Sequence, residues 1–144
     1  MSAPYNSYEY KCEDALKQVI EENIQTQLPV HLGFDYDELT EDTFCLITAT
    51  SFNAVQEDLS GGDVELVVAV MSDRSVSRIE HETVVGAVMD LIYNTGLTAE
   101  MNRIVDDMGV NVITHGARNR AMVETTRVTT QTLTATCWAK DDEE

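Results

Sequence analysis

Residues 8–26 repeat apolar side chains at Cys12, Leu16, Val19, Ile20 and Ile24, the i, i+4, i+7 spacing of an amphipathic helix. Glu13, Asp14, Lys17, Glu21 and Glu22 take the other face, and Pro29 lies beyond its end. The period then changes. Val30 to Phe34 predicts a short strand, Asp35 to Asp42 an acidic loop, and Phe44 to Phe52, uncharged and rich in β-branched and aromatic residues, a longer strand. Leu59-Ser60-Gly61-Gly62-Asp63 reads as a turn. In Val64 to Ser72, Val64, Leu66, Val68 and Val70 share one face while Val67, Ala69 and Met71 share the other. A strand apolar on both faces belongs inside a sheet.

A second helix starts at Ser77-Arg78-Ile79-Glu80, the spacing of a capping box in which hydroxyl and carboxylate satisfy each other's backbone donors. Its predicted stripe is Ile79, Val84, Val88, Leu91 and Ile92, with Gly86 and Ala87 leaving room for close packing. Asn94-Thr95-Gly96 stops it, the glycine being able to take a positive φ. A shorter helix capped by Thr98 gathers Leu97, Met101, Ile104, Val105 and Met108 and closes at Gly109. Val110 to Thr114 predicts a strand, His115 to Arg120 a loop, and Met122 to Trp138 a long strand. Seven of the twelve residues from Thr125 to Thr136 are threonine, which suits a half-wet sheet surface. Leu133, Ala135 and Cys137 alternate with threonines, but Val128 falls on the opposite parity to Val123, so a bulge or bend is expected near Arg127. At about 3.3 Å per residue the run would exceed about 50 Å, long enough to project and pair with a neighbouring subunit. The whole is an α+β fold: a mixed, mainly antiparallel sheet of about five strands flanked by two main helices, in the order α-β-β-β-α-α-β-β. Residues 1–144 form one domain, with flexible tails at 1–7 and 139–144.

Charge changes the picture more than composition does. Twenty-six acidic residues face nine basic ones, a net −17. A generic nucleic-acid binder is excluded, since phosphate affinity comes largely from Lys and Arg, and so is adhesion to an anionic membrane. The longest apolar run, Leu66 to Met71, is six residues, against the roughly 20 that span a bilayer. The first residues carry neither a positive region nor an apolar one, so a soluble, unsecreted product is expected. The acidity is uneven: residues 1–73 hold fifteen acids and two bases, whereas between Met108 and Lys140 only Glu124 opposes Arg118, Arg120, Arg127 and Lys140. An acidic body with one basic region suits head-to-tail contact between copies.

Candidate chemistry is sparse. Cys12, Cys45 and Cys137 are odd in number and far apart, and read as packing residues rather than a disulfide framework or zinc site. Glu80-His81-Glu82 lacks the second histidine of a zincin, so His81 reads as solvated. Asp35-x-Asp37 begins like a calcium loop, but Leu39, Thr40 and Leu46 break the pattern. Asp106-Asp107 reads as an exposed pair rather than an acid/base couple. No nucleophile elbow, dinucleotide fingerprint or phosphate loop is present. Catalytic residues, metal and cofactor are all expected to be none. Arg118 and Arg120 could grip an anion, but a protein partner with an acidic face suits them better.

The order of elements resembles that of the small tail-terminator proteins of tailed phages, a plan that related neck and tail-completion proteins share. Three stretches carry the likeness across roughly residues 8–138. Pro29-Val30-His31-Leu32-Gly33-Phe34 precedes a loop and the strand Phe44–Phe52; Val64–Ser72 runs into a helix carrying Glu80-His81-Glu82 and Val85-Gly86-Ala87-Val88; and Val110-Asn111-Val112-Ile113-Thr114-His115-Gly116 leads through an arginine-containing loop into a threonine-rich strand. The strong acidity of residues 1–73 departs from the family pattern. The resemblance implies a structural virion protein, not an enzyme, assembled in the host cytoplasm and located in the virion tail or neck. Its partners would be copies of itself in a ring, commonly a hexamer, with the tail tube protein on one side and head-side neck or connector proteins on the other. DNA would be a passenger that does not stick, and no membrane is involved. Arg118, Arg120, Arg127, Thr130 and Thr132 are the candidate interface residues. Asp35, Asp37, Glu38, Glu41 and Asp42 are the candidate acidic loop facing a bore or a partner. Two other classes remain: an acidic adaptor or DNA-mimic that binds a basic protein surface, and a small enzyme using the acidic loop with a divalent metal.

Overall fold

The computed structural model describes residues 7–24, 28–33, 41–54, 61–105 and 107–139. Asp35, Asp37 and Glu38, the residues 1–6 and 140–144 expected as tails, and Leu59-Ser60 of the expected turn lie outside them. Ser7 and Ala139 do not belong to tails: Ser7 caps the first helix and Ala139 pairs with Met108.

Helix α1 spans Tyr8–Asn23 and buries Cys12, Ala15, Leu16, Val19 and Ile20, as its periodicity requires. It ends earlier than the pattern suggested, because Ile24 is extended at φ −82°, ψ 124°. The strands are β1 (Val30–Leu32), β2 (Thr43–Ala54), β3 (Gly61–Asp73), β4 (Met108–Val123) and β5 (Thr126–Ala139), with helices α2 (Arg78–Ile92) and α3 (Leu97–Ile104) between β3 and β4. The sheet order is β1-β2-β3-β5-β4; β1 runs parallel to β2 and every other pair is antiparallel. Strand β3 is central, as its two apolar faces demand.

Four expectations are corrected. Gly61, Gly62 and Asp63 begin β3 instead of forming a turn. A Cβ on Gly61 would lie 2.6 Å from the Cys137 carbonyl oxygen and one on Gly62 2.4 Å from that of Asn53, so these glycines serve close strand approach. The buried face of α2 is His81, Val85, Val88, Met89 and Ile92. Ile79, counted as core, is 79% exposed, and His81, counted as solvated, is 2% exposed. Reading the apolar stripe without the histidine rotated the helix. Neither Gly96 nor any other described glycine has a positive φ; Gly96 is the N-cap of α3, in place of Thr98.

The fourth correction is the largest. His115–Arg120 is strand, not loop, and the supposed long strand 122–138 is broken in two. Val123 pairs with Thr126 across a two-residue turn, Glu124-Thr125, where Glu124 takes φ 55°. That turn accounts for the parity slip between Val123 and Val128. No bulge occurs at Arg127; the register shifts fall in β4, between Val110 and Val112 and between His115 and Arg118.

One core holds the layers together. The α1, α2 and α3 side chains meet Val64, Leu66, Val68 and Val70 of β3, Cys45 and Ile47 of β2, and Leu133, Ala135 and Cys137 of β5. All three helices thus cover a single face of the sheet. The other face carries Phe44, Leu46, Val67, Ala69 and Met71 beside the row Thr130, Thr132, Thr134 and Thr136. Among the described residues no helix packs on it, and none is long and apolar enough to cross a membrane.

Candidate functional site

Two features of the fold are open to partners: the outer edge of β4, and a cleft where that strand, β5 and the start of α2 converge. From Asn111 to Val123 β4 is almost wholly exposed, and its far side pairs with no other strand among the described residues. Val112, Met122 and Val123 stand out as large exposed apolar side chains on it. A long free edge is a template for another strand unless it is blunted. The two register shifts and the arginines do blunt part of it.

The expected interface residues lie on β4 and β5, in different environments. Arg118 is held in place: its Nε donates to Gln131 Oε1 at 3.0 Å and its guanidinium lies 5.5 Å from the centre of the Tyr93 ring. Gln131 is fully buried; it also accepts from the Tyr93 hydroxyl at 2.9 Å and donates to the Gly116 carbonyl at 3.0 Å. Tyr93 stacks on His115 with ring centres 4.0 Å apart. This network bolts the β4–β5 hairpin to the end of α2, so Arg118 is a brace. Arg120 pairs with Glu82 of α2, and Arg127 donates to the Val76 carbonyl. Thr130 and Thr132 are half-buried on the uncovered face of the sheet.

Of the expected acidic loop, Glu41 and Asp42 are described. Glu41 Oε1 lies 3.4 Å from His31 Nε2, and the Asp42 carbonyl accepts from the Asp73 amide at 2.8 Å. Asp107 bonds Lys11 at 3.0 Å, tying α1 to the approach to β4. Among the described residues, no three His, Cys, Asp or Glu side chains could hold a metal ion.

The cleft has about 350 Å³ and is lined by Arg78, Arg120 and Arg127 around a floor that includes His81 and Thr129. Arg78 is the first residue of α2, placed by the capping box of Ser77 and Glu80. Inspection of the sequence missed Arg78 and His81 as neighbours of Arg120 and Arg127. The available signal was helical spacing: 78, 81, 82 and 85 share one side of α2.

His81 sits in a chain of hydroxyls. Its Nδ1 is 2.7 Å from Ser72 Oγ, its Nε2 is 3.0 Å from Thr129 Oγ1, and Ser72 in turn lies 3.3 Å from Thr43 Oγ1. Burial, together with the charges of Arg127 and Arg120, pushes its pKa below the ordinary histidine value. A serine at hydrogen-bonding distance from a histidine invites comparison with a nucleophile and its base. The geometry refuses it: Ser72 is fully buried, lies behind the imidazole and does not line the cleft. The other imidazole nitrogen meets a hydroxyl rather than an orienting carboxylate. The chain joins β2, β3, α2 and β5.

The three cysteines are buried thiols, as expected. Cys12 and Cys137 place their sulfurs 3.4 Å apart between α1 and β5. The thiol–thiol hydrogen bond raises the pKa of Cys12 and lowers that of Cys137, while burial pushes Cys45 up to about 12. Glu13, also buried, accepts from the Ala49 amide at 2.7 Å, beside the β2 irregularity between Ala49 and Ser51.

The fold is shared with particle components. A chain of the virion of a native gene transfer agent particle matches with a TM-score of 0.54 and 12% identity, over 87% of this chain and 96% of that one. A sheath/tube terminator of an extracellular contractile injection system, in its extended state, matches with a TM-score of 0.52 and 10% identity. That match covers 97% of this chain, which spans 59% of the terminator's length. No protein-family model matches the sequence, and no curated protein does. The likeness is one of fold.

Proposed function

We propose that this protein is a structural subunit of a phage-like tail. Copies form a ring at the head-proximal end, close the finished tail tube and join it to the neck. The observation that carries the reading is a fold shared over almost the entire chain with a sheath/tube terminator. The exposed edge of β4 and the uncovered face of the sheet supply two surfaces on which copies and flanking proteins can add. Six copies carry −102 formal charges, given −17 on each. Where these line a bore, they repel DNA phosphates and let the genome slide. The protein works by assembly and performs no catalysis.

Native mass spectrometry tests this directly. The expected result is a ring near six times 16.0 kDa, formed either by the purified protein or when tail tubes are added. A protein that stays monomeric in both conditions, with no affinity for tail tubes, overturns the reading. Inhibition of a nuclease or polymerase by such a monomer would favour the DNA-mimic class instead.

A further inference from the structure

The arginine cleft lies at the start of strand β5, and the acidic run 141–144 follows the strand's end in the sequence. Arg127 is its second residue and Ala139 its last. Twelve strand steps separate them, about 40 Å. At the cleft, Arg78 has no ion pair among the described residues, Arg127 spends one N–H on the Val76 carbonyl, and Arg120 faces Glu82. Three guanidinium groups and one carboxylate leave the cleft positive on a strongly negative chain. The nearby carboxylates of Asp73 and Glu80 are engaged locally, accepting from the Ser75 and Ser77 amides. Glu124, at the hairpin turn, is exposed.

Beyond Ala139 the sequence reads Lys140-Asp141-Asp142-Glu143-Glu144, four consecutive carboxylates. Five residues reach at most about 18 Å from Ala139 even when fully extended. Covalent geometry therefore keeps them from the cleft of their own chain. We propose that the cleft formed by Arg78, Arg120 and Arg127 holds residues 141–144 of a second copy. Arginine and carboxylate meet there as charge-assisted, bidentate pairs, with Arg78 as the principal donor. The contact joins two different surfaces of neighbouring copies; propagated head to tail, it closes into a ring or runs on as a filament. The inference deepens the ring reading by naming the joint between neighbours.

A charge swap tests it. One variant reverses the cleft, Arg78→Glu with Arg120→Glu; the other reverses the segment, Asp141→Lys, Asp142→Lys, Glu143→Lys and Glu144→Lys. In sedimentation velocity each variant alone should associate roughly tenfold or more weakly than wild type. An equimolar mixture should recover assembly, because each variant's segment then meets the other's cleft. Circular dichroism of each variant checks the fold. In parallel, a peptide of residues 139–144 is titrated into the full-length protein and should bind wild type but not Arg78→Glu. Rings of wild-type strength in both single variants overturn the contact and leave the ring reading standing. Peptide binding by a protein that never forms rings overturns the ring and leaves the contact standing. A mixture that fails to recover, with no peptide binding, overturns the contact.

Discussion

Replacing His81 with alanine removes the imidazole that bridges Ser72 on β3 to Thr129 on β5. Ser72 keeps Thr43 at 3.3 Å, but Thr129, 2% exposed, loses the one hydrogen bond its hydroxyl makes among the described residues. Two modest hydrogen bonds, one stranded hydroxyl and a void that the adjoining cleft lets water enter add up to about 2–3 kcal/mol of lost stability. The pH dependence makes the test specific. The native imidazole is harder to protonate than the unfolded one, because burial, the largest influence, acts with the two arginines and together they outweigh the favourable charge of Glu82. The unfolded chain therefore takes up the proton first. The native advantage is complete above the unfolded value of about 6.5 and shrinks as pH falls below it. From pH 7.5 to 5.5 the loss reaches at most about 1.4 kcal/mol, the limit for an imidazole that stays neutral when folded. Urea unfolding of wild type and His81→Ala at both pH values measures it. The gap between them should narrow at pH 5.5. A gap of constant or growing size would falsify the reading of His81 as a buried, neutral strut.

Three further substitutions probe the hairpin and its base. Glu124→Gly should raise the unfolding free energy measured in urea by about 1 kcal/mol, since glycine adopts φ 55° without the left-handed penalty; a loss of stability would show that the turn is held by the glutamate side chain. Gly109→Ala puts a Cβ 2.3 Å from the Trp138 ring. The sole tryptophan must swing outward, so its emission should shift to the red with about 1–2 kcal/mol lost, and an unmoved spectrum would refute the packing. Arg118→Ala releases the Gln131–Tyr93 brace and should cost about 1–2 kcal/mol, with faster amide exchange along residues 114–121. Equal exchange in the variant would return Arg118 to the role of an interface residue.

Much of the fold was legible because its signals are local. The capping box at Ser77 and Glu80, the doubly apolar β3 and the α1 stripe each rest on a few adjacent side chains, and each is found where the pattern put it, save that Ile24 falls outside α1 and Glu13, assigned to its polar face, is buried. The hairpin was not legible, for a definite reason. Two-residue hairpins announce themselves through Asn or Gly at positions of positive φ, and Glu124-Thr125 has neither, so two strands read as one. The reverse error occurred at Gly61-Gly62, where glycines that permit close strand approach imitate a turn. His81 was misplaced because a histidine between two glutamates looks solvated unless its i+4 and i+7 neighbours, Val85 and Val88, are counted with it. The cleft escaped notice because Arg78 and Arg127 are 49 positions apart, and only the α2–β5 packing unites them.

Strand β5 lies between β3 and β4, although both precede it in the sequence. During synthesis β3 therefore waits with one edge unpaired until residues 126–139 leave the ribosome, and β4 has no strand to lean on at all. Strand β3 can pair early with β2, but residues 126–139 join it to β4, so the two halves of the sheet become continuous only once they have been made.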